Sequence, residues 1–529
     1  MQNMDVRNQT WQDLNQNWDM IIIGGGITGA GIFRMAAQAG YKVLLLEAND
    51  YAFGTSSRSS KLIHGGLRYI KNRQYKVTLE SVRERERLLH EAPNLVTPLE
   101  FILPVYDFYH TDPKIFDLSL AIYDVFGHKW QHGLLSDKEE NNIQTQFSQK
   151  GLLASFFYFD AVLDDARLVY RNIREGELFG GKALNYVVVQ KLLFNSYGQV
   201  CGVAISDNEF KTEFRNLELF TQVVINATGP WTDTLRAQVS KEKIIRKLRG
   251  SHIQFLNSRL PIEEAFSFIH PIDHRSLFVI PWEGVTIVGT TDLDHPIDIE
   301  KSKSEPFMTL GELDYLLVAA NHLFPGFNLD EKDIISSFAG LRPVLYGGKE
   351  SPSDESRAHR ILEESGLITI AGGKLTTYRK MGYEVLIKAQ KRIKQKKLID
   401  QKKPVLNKFE FEYFREYPIE LINRWSGRFG KEVTDFLESL RNNEDQRIEN
   451  SSAYWAEIRW SARNEAIVHL DDLLLRRVRI GLLLPNGGLN NMSQIKDIVK
   501  AELKWNDEKW QAELIRYETL WKDCYYLPK

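Results

Sequence analysis

The sequence is poor in cysteine, with only Cys201 and Cys524 in 529 residues. Two thiols so far apart exclude a disulfide scaffold and a thiolate metal cluster, and they fit a reducing, cytoplasmic setting. An excess of charge of one sign is also missing: 68 Lys and Arg oppose 70 Asp and Glu. Nucleic-acid binders carry a basic excess or stripe, so this balance argues against that class of partner. No apolar run approaches the ~20 residues needed to cross a bilayer. Residues 1–18 lack the basic start and apolar centre of an export signal. Any membrane contact is therefore expected to be peripheral. Internal repeats are absent, and the lysine-rich stretch 392–403 is the one biased tract.

What is present reads as an enzyme-sized α/β protein of about three domains, at roughly 150 residues per domain. An apolar strand over 20–23 enters a glycine cluster, a helix runs on to Ala39, and Gly40 ends it. A second strand over 41–46 finishes on Glu47, completing a βαβ unit. Short strands follow at 183–190, 200–206 and 222–226, the last running into Ala227-Thr228-Gly229-Pro230. A third strand-to-helix junction lies at 367–380, around Gly372-Gly373. Three such junctions so widely spread predict a discontinuous Rossmann-type domain made of 18–82, 156–235 and 342–391. The segments between, 83–155 and 236–341, are expected to form one cap domain around a sheet. Within it, strands at 278–282 and 285–289 read as a hairpin with Glu283 at the turn. Residues 400–529 read as a helical domain.

Gly24, Gly26 and Gly29 satisfy GxGxxG directly after a strand and at the start of a helix. Gly24 permits the tight turn, Gly26 admits a pyrophosphate close to backbone N–H groups, and Gly29 allows close packing of the helix. Glu47 is placed to accept from adenosine ribose hydroxyls. The fingerprint alone serves FAD or a nicotinamide equally. The loop 54–61 follows, with Thr55, Ser56, Ser57, Ser59 and Ser60 beside Arg58 and Lys61. It is either a solvated loop or a second set of cofactor contacts.

The segments GGGITGAG, GTSSRSSKLIHGGLRY, INATGPWTD, AGLRP and AGGKLTTYRK, in that order, resemble the signature segments of FAD-dependent glycerol-3-phosphate dehydrogenases. The likeness covers about residues 18–390, and HLDDLLLRR at 469–477 extends it more loosely into the helical region. It implies an FAD-binding domain of the D-amino-acid-oxidase/glutathione-reductase-2 type, glycerol 3-phosphate as substrate, and a membrane quinone as acceptor on the inner face of the cytoplasmic membrane. It implies cofactor contacts at Gly24, Gly26, Gly29, Glu47, Thr55, Ser56, Ser57, Ser59, Lys61, His64, Val188, Thr228, Gly229, Gly373, Lys374, Leu375 and Thr376. Substrate contacts fall at Arg68, Tyr69, Arg275, Arg342 and Arg357. No metal is implied.

The chemistry suits these residue types. A phosphate ester carries a charge of about −1.5 to −2, and arginine offers it a permanently charged bidentate fork. Oxidising the C2 alcohol needs hydride transfer to flavin N5 while a base takes the hydroxyl proton. Histidine, with a reference pKa of ~6.5, suits the base. His252 is preferred over His64, which adjoins the cofactor loop. The implied catalytic set is then His252, Arg342 and Lys374, with Lys374 offsetting negative charge that develops on the flavin. Related enzymes that use oxygen, amine or amino-acid oxidases of the same fold, and a flavoprotein without turnover are the alternatives. The aromatic-rich segment 98–130 reads as a lipid-interface anchor or as the core of the cap. The amphipathic stretch 505–521 suits a second copy of the chain in a homo-oligomer or closure of its own domain.

Overall fold

In the computed structural model the described residues are 3–67, 70, 74–135, 147–209, 216–296, 305–350, 352, 355–404, 406 and 417–528, with side chains described from residue 7 onward. The apolar strand Trp18–Ile23 is central to a sheet ordered His359–Glu364, Leu367–Gly372, Asn216–Asn226, Trp18–Ile23, Val43–Leu46, Lys182–Leu184. All neighbours in it are parallel except the edge strand His359–Glu364. Parallel strands covered on both faces become continuous apolar runs, and Val43–Leu46 is buried throughout. Helices Ile27–Gln38, Asp165–Leu178 and Tyr378–Ala389 contribute to the core on one face. The ribbon Val187–Phe194/Val200–Asp207 and the N-terminal Trp11 and Leu14 close the other. Strands ending at Ile23, Asn226 and Gly372 point the same way, and each leads into a turn containing Gly24, Gly229 or Gly373 with positive φ. That carboxyl edge is where open α/β sheets bind ligands.

The second sheet is ordered Leu293–Asp294, Ile245–Leu256, Val285–Gly289, Ser276–Trp282, Ala265–Ile269, Val96–Tyr106, Leu152–Leu163, Leu62–Ile63, and Ile334–Leu345 also pairs with Ile245–Leu256. The hairpin Ser276–Trp282/Val285–Gly289 turns on Glu283 and Gly284, with φ of 50° and 91°. Positive φ at both central residues matches the twist of tight two-residue hairpins.

This sheet shifts the expected domain limits. The boundary at 155/156 falls inside Leu152–Leu163, which pairs along its length with Val96–Tyr106. The boundary at 341/342 falls inside Ile334–Leu345, and the one at 82/83 inside the helix Tyr75–Glu91. Elements of 12 to 17 residues bridge the two units, so motif spacing could not place the cuts.

Helices from Ile419 to Cys524 form the third unit. Its last helix, Asp507–Cys524, closes its own domain: Trp510, Tyr517 and Trp521 are buried, and the Tyr517 hydroxyl and Trp521 indole N–H donate to the carbonyls of Gly487 and Gly481. In segment 98–130, Phe101, Tyr106, Tyr109 and Tyr123 lie in the cap core, whereas Trp130 is 69% exposed. No helix among the described residues is long and apolar enough to cross a membrane.

Candidate active site

A cavity of about 1110 Å³ runs from the glycine turn at residues 24–28 to the second sheet. Ordinary small-molecule sites occupy ~300–1,000 Å³, so this one has room for a dinucleotide and a small substrate together. At one end Gly24 has φ of 111°, and a Cβ there would lie 2.5 Å from the Ala227 carbonyl oxygen. A Cβ on Gly29 would overlap the Gly24 carbonyl oxygen. Only glycines therefore let Ile27–Gln38 start against the turn, with Gly26, Ile27 and Thr28 facing the cavity. The helix N-terminus favours an anion there. Glu47 accepts from the N–H of Gly25 at 2.6 Å and of Asn49 at 2.8 Å. Burial raises its pKa above the usual carboxylate range, against the pull of these donors.

The loop after Glu47 is not a solvated loop. Ser56 Oγ accepts from the Ile27 N–H at 3.0 Å, and the Thr55 hydroxyl donates to the Leu341 carbonyl. Ser59 donates to Asp165 from its N–H and its hydroxyl at 3.0 and 2.7 Å. The loop thus ties the first sheet to the second while Thr55, Ser56, Ser59 and Ser60 face the cavity. Val188, Thr228, Gly229, Gly373, Leu375 and Thr376 line the same space, as do His64 and Lys374. Lys374 precedes the short turn Leu375–Thr377, and its Nζ donates to Ser81 Oγ at 3.2 Å. The glycine cradle, the helix N-terminus and the hydroxyl-lined wall fit FAD. Glu47, the turn 24–28, the loop 54–60 and the residues 373–376 are the ones that would hold it.

At the far end three arginines from separate segments, Arg275, Arg342 and Arg357, converge. Arg342 Nη1 donates to the Thr291 carbonyl at 3.0 Å and to Asp292 Oδ1 at 3.1 Å, and its Nη2 to the Thr290 hydroxyl at 2.8 Å. Arg357 donates to Asp292 Oδ2 at 3.1 Å, and Arg275 to the Asp292 carbonyl at 2.8 Å. All three line the cavity, with a half-buried Arg342 reaching it from the strand Ile334–Leu345. Asp292 and Thr290 escaped sequence reading. Their one signal is a polar run, Thr290-Thr291-Asp292, straight after a buried hairpin strand. Arg68 and Tyr69 lie outside the described residues.

Four expected site residues do not line the cavity. Gly29 acts through packing, as its position in the fingerprint implies. Ser57 is buried, and its carbonyl accepts from Lys61 Nζ at 2.6 Å. Lys61 is fully buried and pairs with Asp165 at 2.9 Å, so it is a structural ion pair and not a cofactor contact. His252 sits behind the wall, stacked on Phe338 at 4.5 Å between ring centroids. Its Nε2 is 2.9 Å from Ser60 Oγ, the hydroxyl that does face the cavity. Burial, then the charges of Arg342 and Lys61, hold its pKa well below 6.5. The preference for His252 as the base is corrected accordingly: of the two candidates, His64 is the one at the cavity surface.

Comparison with known proteins assigns the family. Residues 19–379 match the model of the FAD dependent oxidoreductase family, and residues 368–510 match the C-terminal domain of alpha-glycerophosphate oxidase. The chain is 34% identical over 516 residues to an aerobic glycerol-3-phosphate dehydrogenase of Staphylococcus haemolyticus, covering 92% of this chain and 91% of that one. Against the enzyme of that name from Bacillus subtilis it is 38% identical over 386 residues, covering 72% and 68%. The solved glycerol-3-phosphate dehydrogenase from Bacillus halodurans, complexed with FAD, superposes with a TM-score of 0.77 at 27% identity, covering 98% of this chain and 97% of that one. With a family match over residues 19–379 and relatives above 30% identity along most of its length, the chain belongs to the FAD-dependent oxidoreductases of the D-amino-acid-oxidase fold and uses FAD as its cofactor.

Proposed function

We propose that the protein oxidises sn-glycerol 3-phosphate to dihydroxyacetone phosphate and passes the electrons to a membrane quinone. The observation that carries this reading is the convergence of Arg275, Arg342 and Arg357 on one wall of the cofactor cavity. A substrate with a single carboxylate has no need of three guanidinium groups, whereas a phosphate dianion has oxygens for all of them. Asp292 holds Arg342 and Arg357 in register beside the cavity. Relatives named glycerol-3-phosphate dehydrogenase support the same assignment.

FAD, when bound, supplies the two-electron acceptor for the alcohol. The chain supplies orientation and proton handling. His64 and Lys374 line the same cavity as the arginines. His64 takes the hydroxyl proton, and Lys374 provides the cation that offsets negative charge at the cofactor end. His252 keeps Ser60 oriented.

The exit to a quinone is supported by the helix Pro113–Gly127. Phe116 and Ile122 line the cavity together with Ile115 and Leu118, which are 56% and 61% exposed at the surface. Apolar side chains shared between a cavity wall and the solvent-facing surface suit peripheral contact with lipid and entry of an apolar acceptor. Attachment at the inner face of the cytoplasmic membrane is part of this proposal.

The test is anaerobic bleaching of the flavin absorbance by glycerol 3-phosphate, followed by a soluble quinone analogue and, separately, by air. Rapid recovery with the quinone and slow recovery in air is the expected result. Fast recovery in air instead makes the enzyme an oxidase, and bleaching by an amino acid in place of the phosphate ester removes the substrate assignment.

A further inference from the structure

Among the described residues none beyond Thr376 lines the cavity, yet the helical domain reaches both cofactor-facing segments from behind. Asp50 directly follows the cavity-lining run 47–49 and is fully buried. Its carboxylate accepts from Nη1 and Nη2 of Arg477, each at 2.8 Å, and from Nε of Arg476 at 2.6 Å. Arg479, two residues on, donates to the Ser57 carbonyl at 3.1 Å and pairs with Asp165. Asp165 is the carboxylate that also holds Ser59 and Lys61. One π-helical turn, Asp472–Arg477, and the next residues therefore fix two loops of another domain.

The local backbone is shaped for this. π-turns are rare and gather at functional positions. Arg479 has φ of 65°, a conformation that a non-glycine residue keeps only when its surroundings over-determine it. Apolar packing would join two domains without the desolvation cost of three buried guanidinium groups. Paired N–H donors on a carboxylate add direction, which packing does not.

We propose that Arg476, Arg477 and Arg479 are positioning residues for FAD, setting the Glu47 segment through Asp50 and the hydroxyl-bearing loop through Ser57 and Asp165. Retention of the cofactor then depends on a domain none of whose described residues lines the cavity. The proposal rests on FAD binding alone, so it is independent of which substrate and acceptor the enzyme uses.

The experiment compares Arg477→Lys and Arg479→Lys with Arg424→Lys as control. Arg424 joins the same domain to the hairpin turn through Glu283 at 2.6 Å and has no bond to either loop. FAD release from each holoenzyme after dilution is followed by flavin fluorescence, and unfolding by tryptophan fluorescence, at a temperature where every variant stays folded. Release at least tenfold faster than the parent in Arg477→Lys and Arg479→Lys, with a shifted flavin absorption band in Arg479→Lys and an unchanged rate in Arg424→Lys, supports the proposal. Unchanged release in the first two overturns it, and so does release that rises in all three in step with lost stability. If either lysine variant fails to fold, Arg476→Lys, which leaves both Arg477 bonds to Asp50 in place, carries the same prediction.

Discussion

Arg342 uses both terminal nitrogens on the Thr290–Asp292 turn, and a lysine there keeps the charge but loses the fork. Arg342→Lys should retain flavin and lower kcat/KM for the phosphate ester at least tenfold, about 1.4 kcal/mol of transition-state stabilisation. Steady-state kinetics check this, and unchanged kinetics remove Arg342 from the site. The two histidines separate in the same assay. General base catalysis contributes ~10²–10⁴-fold, so His64→Asn should cut kcat by about 100-fold or more. His252→Asn should cost less, because an amide can still bond Ser60. A larger loss at His252 than at His64 would restore His252 as the base. His252 shows why roles were harder to read than membership: its motif sits in the right segment, but burial depth and the single bond to Ser60 are properties of packing.

At the scale of elements, the glycine turn and the strand–helix pairs around it were legible because their chemistry is local. Gly24 needs its positive φ and Gly29 needs contact with the Gly24 carbonyl, and both constraints are written in a few adjacent residues. Gly29→Ala should therefore yield a folded protein isolated without flavin, read from its absorbance at a flavin wavelength against protein content; a full complement of FAD would contradict the packing argument. The hairpin turning at Glu283 was equally legible from its two short apolar strands. Domain limits were not, because Leu152–Leu163 and Ile334–Leu345 serve one sheet while reaching toward the loops of the other. Asp292 was missed for a related reason. A lone carboxylate after a strand gains meaning only when Arg275, Arg342 and Arg357 arrive from elsewhere in the chain. Lys61 erred the other way: a cation in a hydroxyl-rich loop suggests phosphate, and its actual partner, Asp165, is 104 residues distant in sequence.

Across the whole molecule, buried ion pairs carry the joins between units. Arg167 meets Glu465 at 2.6 Å, both buried. Removing one partner of such a pair typically costs ~3–5 kcal/mol. A titratable join of this kind is His469, held between Glu209 and Glu513 at 2.9 Å each. Burial opposes its charge, but the two carboxylates win and raise its pKa to about 9. A folded-state pKa above the unfolded value of ~6.5 means stability that is complete below ~6.5 and lost as pH rises through 9. Unfolding temperature should decline between those limits, and His469→Gln should flatten that decline. An equal decline in the variant would assign the pH dependence to other groups.

The functional reading rests on a phosphate held by three arginines beside FAD, and substrate selectivity tests it most directly. Hydrogen bonds to charged groups are worth ~1.5–3 kcal/mol each, so losing two of them costs at least about 100-fold. Anaerobic flavin bleaching should be at least that much faster, per molar substrate, with glycerol 3-phosphate than with glycerol. Comparable rates for the two alcohols would contradict a phosphate site at Arg275, Arg342 and Arg357.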